Sequence, residues 1–194
     1  MTLRVLTARV VPVAVAIAYL LVAPMCLAQE ASADSEARLH FEKNLEAYLA
    51  LRHAVSTAVP TLTVTGDPAT LKRAENGLAA RLRRAREHVR PGEIFTDDVA
   101  RVLRKEIRQG LRVRGISPAE LLATNRWDAS RTPARDISVN ARFPWNSGWD
   151  VPPSILEILP ATPDVLEYRL VGHDLLLIDI GADLVVDVLR RALE

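Results

Sequence analysis

The sequence predicts an α+β protein in which N-terminal amphipathic helices are followed by a C-terminal three-stranded antiparallel meander. Two observations support this class. Apolar residues recur at helical spacing through residues 33–124, and glycine turn signals at Gly172 and Gly181 divide the tail into three short apolar runs. A stretch with little periodicity, residues 125–151, separates the two patterns. We expect residues 29–194 to form one folding unit.

The N-terminus carries the pattern of a secretory signal, so we assign residues 1–28 to a signal peptide. Arg4 and Arg9 precede the apolar run Val10–Leu27, and Ala28 ends a motif of small residues typical of a cleavage site. Cleavage after Ala28 would give a periplasmic or secreted protein. Two alternatives stay open, namely an uncleaved anchor and a lipoprotein modified at Cys26.

The helical region covers residues 29–124. A first helix is predicted over 33–59, and Asp67-Pro68 starts a second that runs to about His88, because aspartate caps a helix and proline is tolerated in its first turn. Thr96, followed by two acidic residues, starts a third helix. Ser117-Pro118 starts a fourth, which ends near Thr124.

Residues 125–165 are predicted to be an ordered loop with a short helix that starts at Pro152-Pro153 and ends at Leu159. The three predicted strands, within residues 166–194, are Leu166–Val171, Leu175–Ile180 and Leu184–Leu189.

Burial favours a three-residue turn at Gly172, although glycine at the first loop position suits a two-residue turn. The longer turn puts nine apolar residues on one face and leaves the acids outside. Asp179 and Asp187 would then lie on a solvated face, with Arg169 near Asp179. Asp174 and Asp183 would belong to the turns.

Composition excludes several functions. Cys26 is the only cysteine, so a cleaved chain has no thiol for zinc-ribbon, iron–sulfur or cysteine-nucleophile chemistry. No two of the four histidines stand at the helical spacing of a metal pair, and we predict no metal and no cofactor. No nucleophile elbow or phosphate-binding glycine loop is present, so no catalytic residue is assigned.

Two surfaces are candidates for binding. Phe143, Trp145 and Trp149 bring three aromatic residues into one loop, where they can form a stacking surface or hold the loop against the core. The helix containing Arg81, Arg84 and Arg86 lies in a basic segment and is a candidate face for an anionic partner, including a peripheral membrane contact. Export and the lack of nearby aromatic residues argue against nucleic acid.

Three stretches, Pro152–Pro160, Glu167–Asp179 and Leu184–Val188, resemble the C-terminal region of an uncharacterised family of exported bacterial proteins. The segment Arg90–Thr96 is similar to a second stretch of that family. This resemblance implies export and brings no activity. The C-terminal hairpin is also similar to the tail of periplasmic nickel/cobalt-homeostasis accessory proteins, which implies a role in metal stress but assigns no site residue.

We therefore expect an exported envelope protein that acts as a non-enzymatic binding or adaptor protein. Its partner would be another envelope protein or a cell-wall component. The alternatives are a periplasmic hydrolase acting on glycan or ester substrates and a metal-stress accessory protein.

Overall fold

The computed structural model describes residues 14–57, 67–124, 137–145 and 148–194, with side chains from residue 29 onward. The chain divides into two compact units, Met1–Glu36 and Ala37–Glu194. Residues 1–13 and the side chains of residues 14–28 lie outside this description, so a signal peptide cleaved after Ala28 stays a prediction. Among the described residues, no helix has the length and apolar character needed to cross a membrane.

The helices begin largely where the local sequence signals predict. They are α1 (Ala14–Ser56), α2 (Pro68–Ala85), α3 (Asp97–Val113) and α4 (Pro118–Thr124). Helix α1 starts earlier than predicted, and α2 ends about one turn before the predicted residue. The cap at Asp67 is confirmed, because its carboxylate accepts hydrogen bonds from the amides of Ala69 and Thr70, both at 3.1 Å.

The sheet has four antiparallel strands in the order β1-β2-β3-β4, which confirms the α+β class. The strands are β1 (Trp149–Asp150), β2 (Leu166–Val171), β3 (Asp174–Asp179) and β4 (Leu184–Leu189). Strand β1 was not predicted because two residues are too few to show alternation. A single short helix, α5 (Pro153–Leu156), follows β1 and ends before the predicted Leu159.

The predicted register of the hairpin is wrong. Leu166 pairs with Asp179 and Val171 pairs with Asp174, so only two residues connect β2 to β3. Gly172 has a φ of 59°, which a glycine adopts without a steric penalty. The turn preference therefore prevails over the burial argument, which assumed that aspartate cannot be accommodated in the interior.

Both faces of the sheet are covered, which removes the predicted solvated face. Successive residues of β3 belong to different cores: Leu175 and Leu177 lie in the main core with the helices, whereas Leu176 and Ile178 lie in a second cluster. Because successive side chains point to opposite faces, these two clusters lie on opposite sides of the sheet. Every residue of β3 and β4 is buried.

The second cluster is completed by the segment 137–145, which contributes Ile137 and Phe143. This segment runs beside the outer edge of β4. The amide of Asn140 donates to the carbonyl of Val185 at 2.8 Å, and the amide of Val185 donates to the carbonyl of Ala141 at 2.9 Å. The described part of the predicted loop is thus packed against the sheet, whereas residues 125–136 and 146–147 lie outside the description.

The last pair of strands contains a β-bulge. Leu177 pairs with Asp187, but the next residue, Ile178, pairs with Val185, so Val186 has no partner of its own in the ladder. The bulge interrupts the predicted alternation of β4. As a result, Asp187 occupies the register position opposite Leu177, a residue of the main core.

Candidate functional site

Trp145 is the most exposed aromatic residue of the candidate loop, with half of its surface accessible. Its ring makes an edge contact with Phe143 at a centroid distance of 4.9 Å. Its indole Nε1 donates to Oδ1 of Asp183 at 2.6 Å, and the guanidinium of Arg169 lies 5.3 Å from its ring centroid. Three separate contacts therefore fix one orientation of a half-exposed indole.

The three predicted aromatic residues do not form one platform. Phe143 is buried in the second cluster, whereas Trp149 is partly buried against the main core. These clusters lie on opposite sides of the sheet. Only Trp145 presents a large accessible aromatic surface, with Phe143 as its support.

Charged side chains of both signs surround Trp145. Arg142 pairs with Asp183 at 3.1 Å, and Arg169 pairs with both Asp150 and Glu167. The exposed side chain of Asp150 and the partly exposed side chains of Arg142 and Glu167 leave these groups accessible to solvent. The predicted pairing of Arg169 with Asp179 is wrong, because Asp179 faces the main core.

The predicted basic face of α2 is divided by the fold. Arg81 and Arg84 are exposed and border a shallow hollow together with Gly77 and Ala80. Arg86, in contrast, is only 2% exposed. It therefore cannot contribute to a surface for an anionic partner.

Arg86 instead joins four parts of the protein. Its guanidinium donates to Glu93 at 2.5 Å, to the carbonyl of Val186 at 2.9 Å and to the side chain of Asn140 at 3.1 Å. It also lies 5.0 Å from the ring centroid of Tyr48. A buried guanidinium requires such partners because its charge is costly to desolvate, so this arginine has a structural role.

Asp179 is fully buried at the end of β3 and binds α1. Tyr48 donates its hydroxyl to Oδ2 at 2.9 Å, and Nε of Arg52 donates to the same oxygen at 2.5 Å. Burial and the negative charge of Asp179 raise the pKa of the Tyr48 hydroxyl well above its usual value. Tyr48 therefore keeps its proton and acts as a hydrogen-bond donor.

Asp187, also fully buried, binds the loop between α2 and α3. Its Oδ2 accepts from the amides of Ile94 at 2.7 Å and Phe95 at 2.8 Å, and its Oδ1 accepts from the amide of Gly92 at 2.9 Å. These bonds account for the interior position of the carboxylate without any external ligand. The segment Arg90–Thr96, identified by resemblance, is thus the partner of the bulged strand.

His40 and Asp98 form a titratable pair near the surface. The hydroxyl of Thr96 and the ring of His40 both bind Asp98, at 2.5 and 2.6 Å, and together they lower the pKa of Asp98 to about 2. A third potential ligand is not beside them. Within the described ranges, no group of three or more histidine, cysteine or acidic residues is placed to hold a metal ion.

Sequence reasoning placed Asp179 and Asp187 wrongly on a solvated face, whereas Asp183 lies in a turn as predicted and Asp174 is the first residue of β3. Asp174 accepts from Arg190 and from the amide of Arg191, and Asp183 binds Trp145 and Arg142. The sequence shows the aspartates but not these partners.

No protein-family model, curated protein or solved structure shows detectable similarity to the chain.

Proposed function

We propose that this chain is an exported envelope protein with a non-enzymatic binding or adaptor role, and that Trp145 is the centre of its binding surface. The export part rests on the charged and apolar N-terminal segment described above. The binding part rests on one observation, namely that Trp145 is half exposed and yet held by three side chains.

A fixed, accessible indole favours binding because little side-chain entropy remains to be lost. Tryptophan and arginine are enriched among the residues that dominate interface energies. Trp145 and its neighbour Arg169 combine these two residue types within one contact. An interface side chain without such support loses conformational entropy when the partner binds, which weakens the affinity.

The rim around Trp145 favours a protein partner. It contains the cations Arg142 and Arg169 and the anions Asp150 and Glu167, so both signs are available for polar contacts. An aromatic centre with a polar rim is the usual anatomy of a protein interface. A cell-wall glycan would use the indole face but has less need of this mixed charge.

The test compares Trp145→Ala with Leu156→Ala. Leu156 is a suitable control because it has a similar exposure, 46% against 50%. Binding to the envelope fraction should fall about tenfold or more in the Trp145 variant and stay unchanged in the control, measured at a temperature at which circular dichroism shows both variants folded. Protease treatment of the envelope fraction should abolish the binding.

Two results would contradict this proposal. Equal losses in both variants would indicate nonspecific apolar contact, and undiminished binding of the Trp145 variant would remove the proposed surface. Binding that survives protease treatment and is recovered on purified cell wall would assign the surface to glycan. Export itself is checked by N-terminal sequencing of the periplasmic protein, which should begin at Gln29.

A further inference from the structure

Helix α3 carries a straight basic stripe, defined by Arg101, Lys105, Arg108 and Arg112. The spacings of four, three and four residues place these side chains on one face of a helix. All four are exposed, and the face opposite them is buried against the main core. The stripe is nearly three turns long.

The acidic residues of α3 lie elsewhere. Asp98 is in the first turn and binds Thr96 and His40, and Glu106 binds Arg38 at 2.6 Å. Asp97 is the first residue of the helix. From residue 99 to the end of α3, every charged residue that is exposed is a cation.

An apolar groove opens beside the C-terminal half of the stripe. Its lining includes Ile107 and Leu111 from α3, and Arg108 and Arg112 of the stripe stand along it. Ile116, Pro118 and Leu193 complete the apolar part, and Glu194 is an acidic residue of the same lining. Its volume of about 360 Å³ is at the lower end of the range of small-molecule sites.

We propose that the stripe and groove of α3 bind acidic phospholipids at the surface of a bilayer. Guanidinium groups form paired hydrogen bonds with phosphate, and Arg108 and Arg112 stand at the groove. The groove accommodates the apolar region directly below a lipid headgroup, while Arg101 and Lys105 face neighbouring headgroups. A free phosphate ion would leave the apolar part of the site unused.

This assignment places the membrane contact on α3 rather than on the helix that the sequence suggested. On α2, Arg81 and Arg84 border a hollow that they share only with Gly77 and Ala80. No leucine or isoleucine side chain lines that hollow, whereas such side chains line the groove beside α3. The α3 site is also independent of Trp145, so either proposal can fail without the other.

The experiment measures binding of the full chain to vesicles of phosphatidylcholine alone and of phosphatidylcholine mixed with phosphatidylglycerol. Arg4, Arg9 and the N-terminal apolar segment are common to every variant, so the change in the ratio of the two affinities between variants excludes their contribution. The test variant is Arg108→Gln/Arg112→Gln. The control is Arg81→Gln/Arg84→Gln, which removes the same charge from α2.

The α3 variant should lower the ratio by about 25-fold, because each basic residue near an acidic surface contributes about fivefold. The α2 control should leave it nearly unchanged. High salt should bring the wild-type ratio close to one. Because Arg108 also donates to the carbonyl of Glu194 at 2.8 Å, Arg112→Glu alone is a second variant and should lower the ratio as well.

The proposal is overturned if the wild-type protein has the same affinity for both kinds of vesicle, or if the α2 and α3 double variants lower the affinity ratio equally. It is also overturned if Arg112→Glu leaves the affinity ratio unchanged. Competition with soluble polyphosphate separates lipid from a general polyanion. Polyphosphate should displace the protein only weakly, since it cannot fill the groove. Displacement at matched phosphate concentration would assign the stripe to a soluble polyanion instead.

Discussion

Asp187→Asn tests whether the buried carboxylate holds the loop between α2 and α3. The substitution keeps the size of the side chain, so it creates no cavity. Oδ2 accepts from Ile94 and Phe95, and Oδ1 accepts from Gly92 and Val188. Whichever oxygen becomes the amide nitrogen, two backbone N–H groups lose their acceptor and face a donor.

The expected cost follows from those two bonds. A hydrogen bond to a charged group contributes about 1.5–3 kcal/mol, so two give about 3–6 kcal/mol. This is a large part of the total stability of a typical domain, which is about 5–15 kcal/mol. Urea unfolding followed by circular dichroism measures the loss, and hydrogen exchange should show faster exchange at the amides of Ile94 and Phe95.

Asp150→Asn is the matched control, because it makes the same chemical change at an exposed aspartate. Its ion pair with Arg169 is at the surface and should contribute at most about 1 kcal/mol. If Asp187→Asn costs no more than this control, the carboxylate does not hold the loop and the structural account of the buried aspartates is wrong.

Three further predictions concern single side chains. Tyr48→Phe should lower the free energy of unfolding by about 1–3 kcal/mol, since it removes a donor from buried Asp179; unchanged urea unfolding would show that this bond contributes nothing. The stability that the charged form of Asp98 contributes should be complete above its usual pKa of 3.8 and disappear as the pH falls through about 2. The free energy of unfolding of the wild type should therefore exceed that of Asp98→Asn at higher pH and approach it as the pH falls through this range. A difference that does not change with pH, measured by urea unfolding, would refute this prediction. Gly77→Ala should raise the melting temperature, because an added methyl group meets no atom within 4 Å and alanine favours a helix by about 1 kcal/mol; a lower melting temperature would contradict this.

The helices could be predicted because their signals are local. Asp67 caps the helix that starts at the next residue, and the apolar stripe of α3, which includes Val99 and Leu103, is buried as its spacing indicates. Each signal depends on residues within one or two turns. Such arguments do not need knowledge of distant partners.

The hairpin register and the buried positions of Asp179 and Asp187 could not be predicted for the opposite reason. The partners that bind Asp187 and Asp179 to the helical region, among them Ile94 and Tyr48, are more than 90 residues away in sequence. When those partners are unknown, burying a carboxylate is expected to be unfavourable. The sequence analysis therefore predicted these two residues at the surface. The candidate site was found only in part, because Trp145 and Phe143 meet as neighbours in sequence but Asp183 and Arg169 reach them through the fold.

The segment beside β4 has a consequence for self-association. An open strand edge can template pairing with another chain, and apolar strands make such pairing persistent. Here the amide and carbonyl of Val185 and the carbonyl of Asp183 are already bonded to residues 140–143. Detachment of that segment would uncover an apolar edge, so substitutions that loosen it should promote aggregation before they promote unfolding.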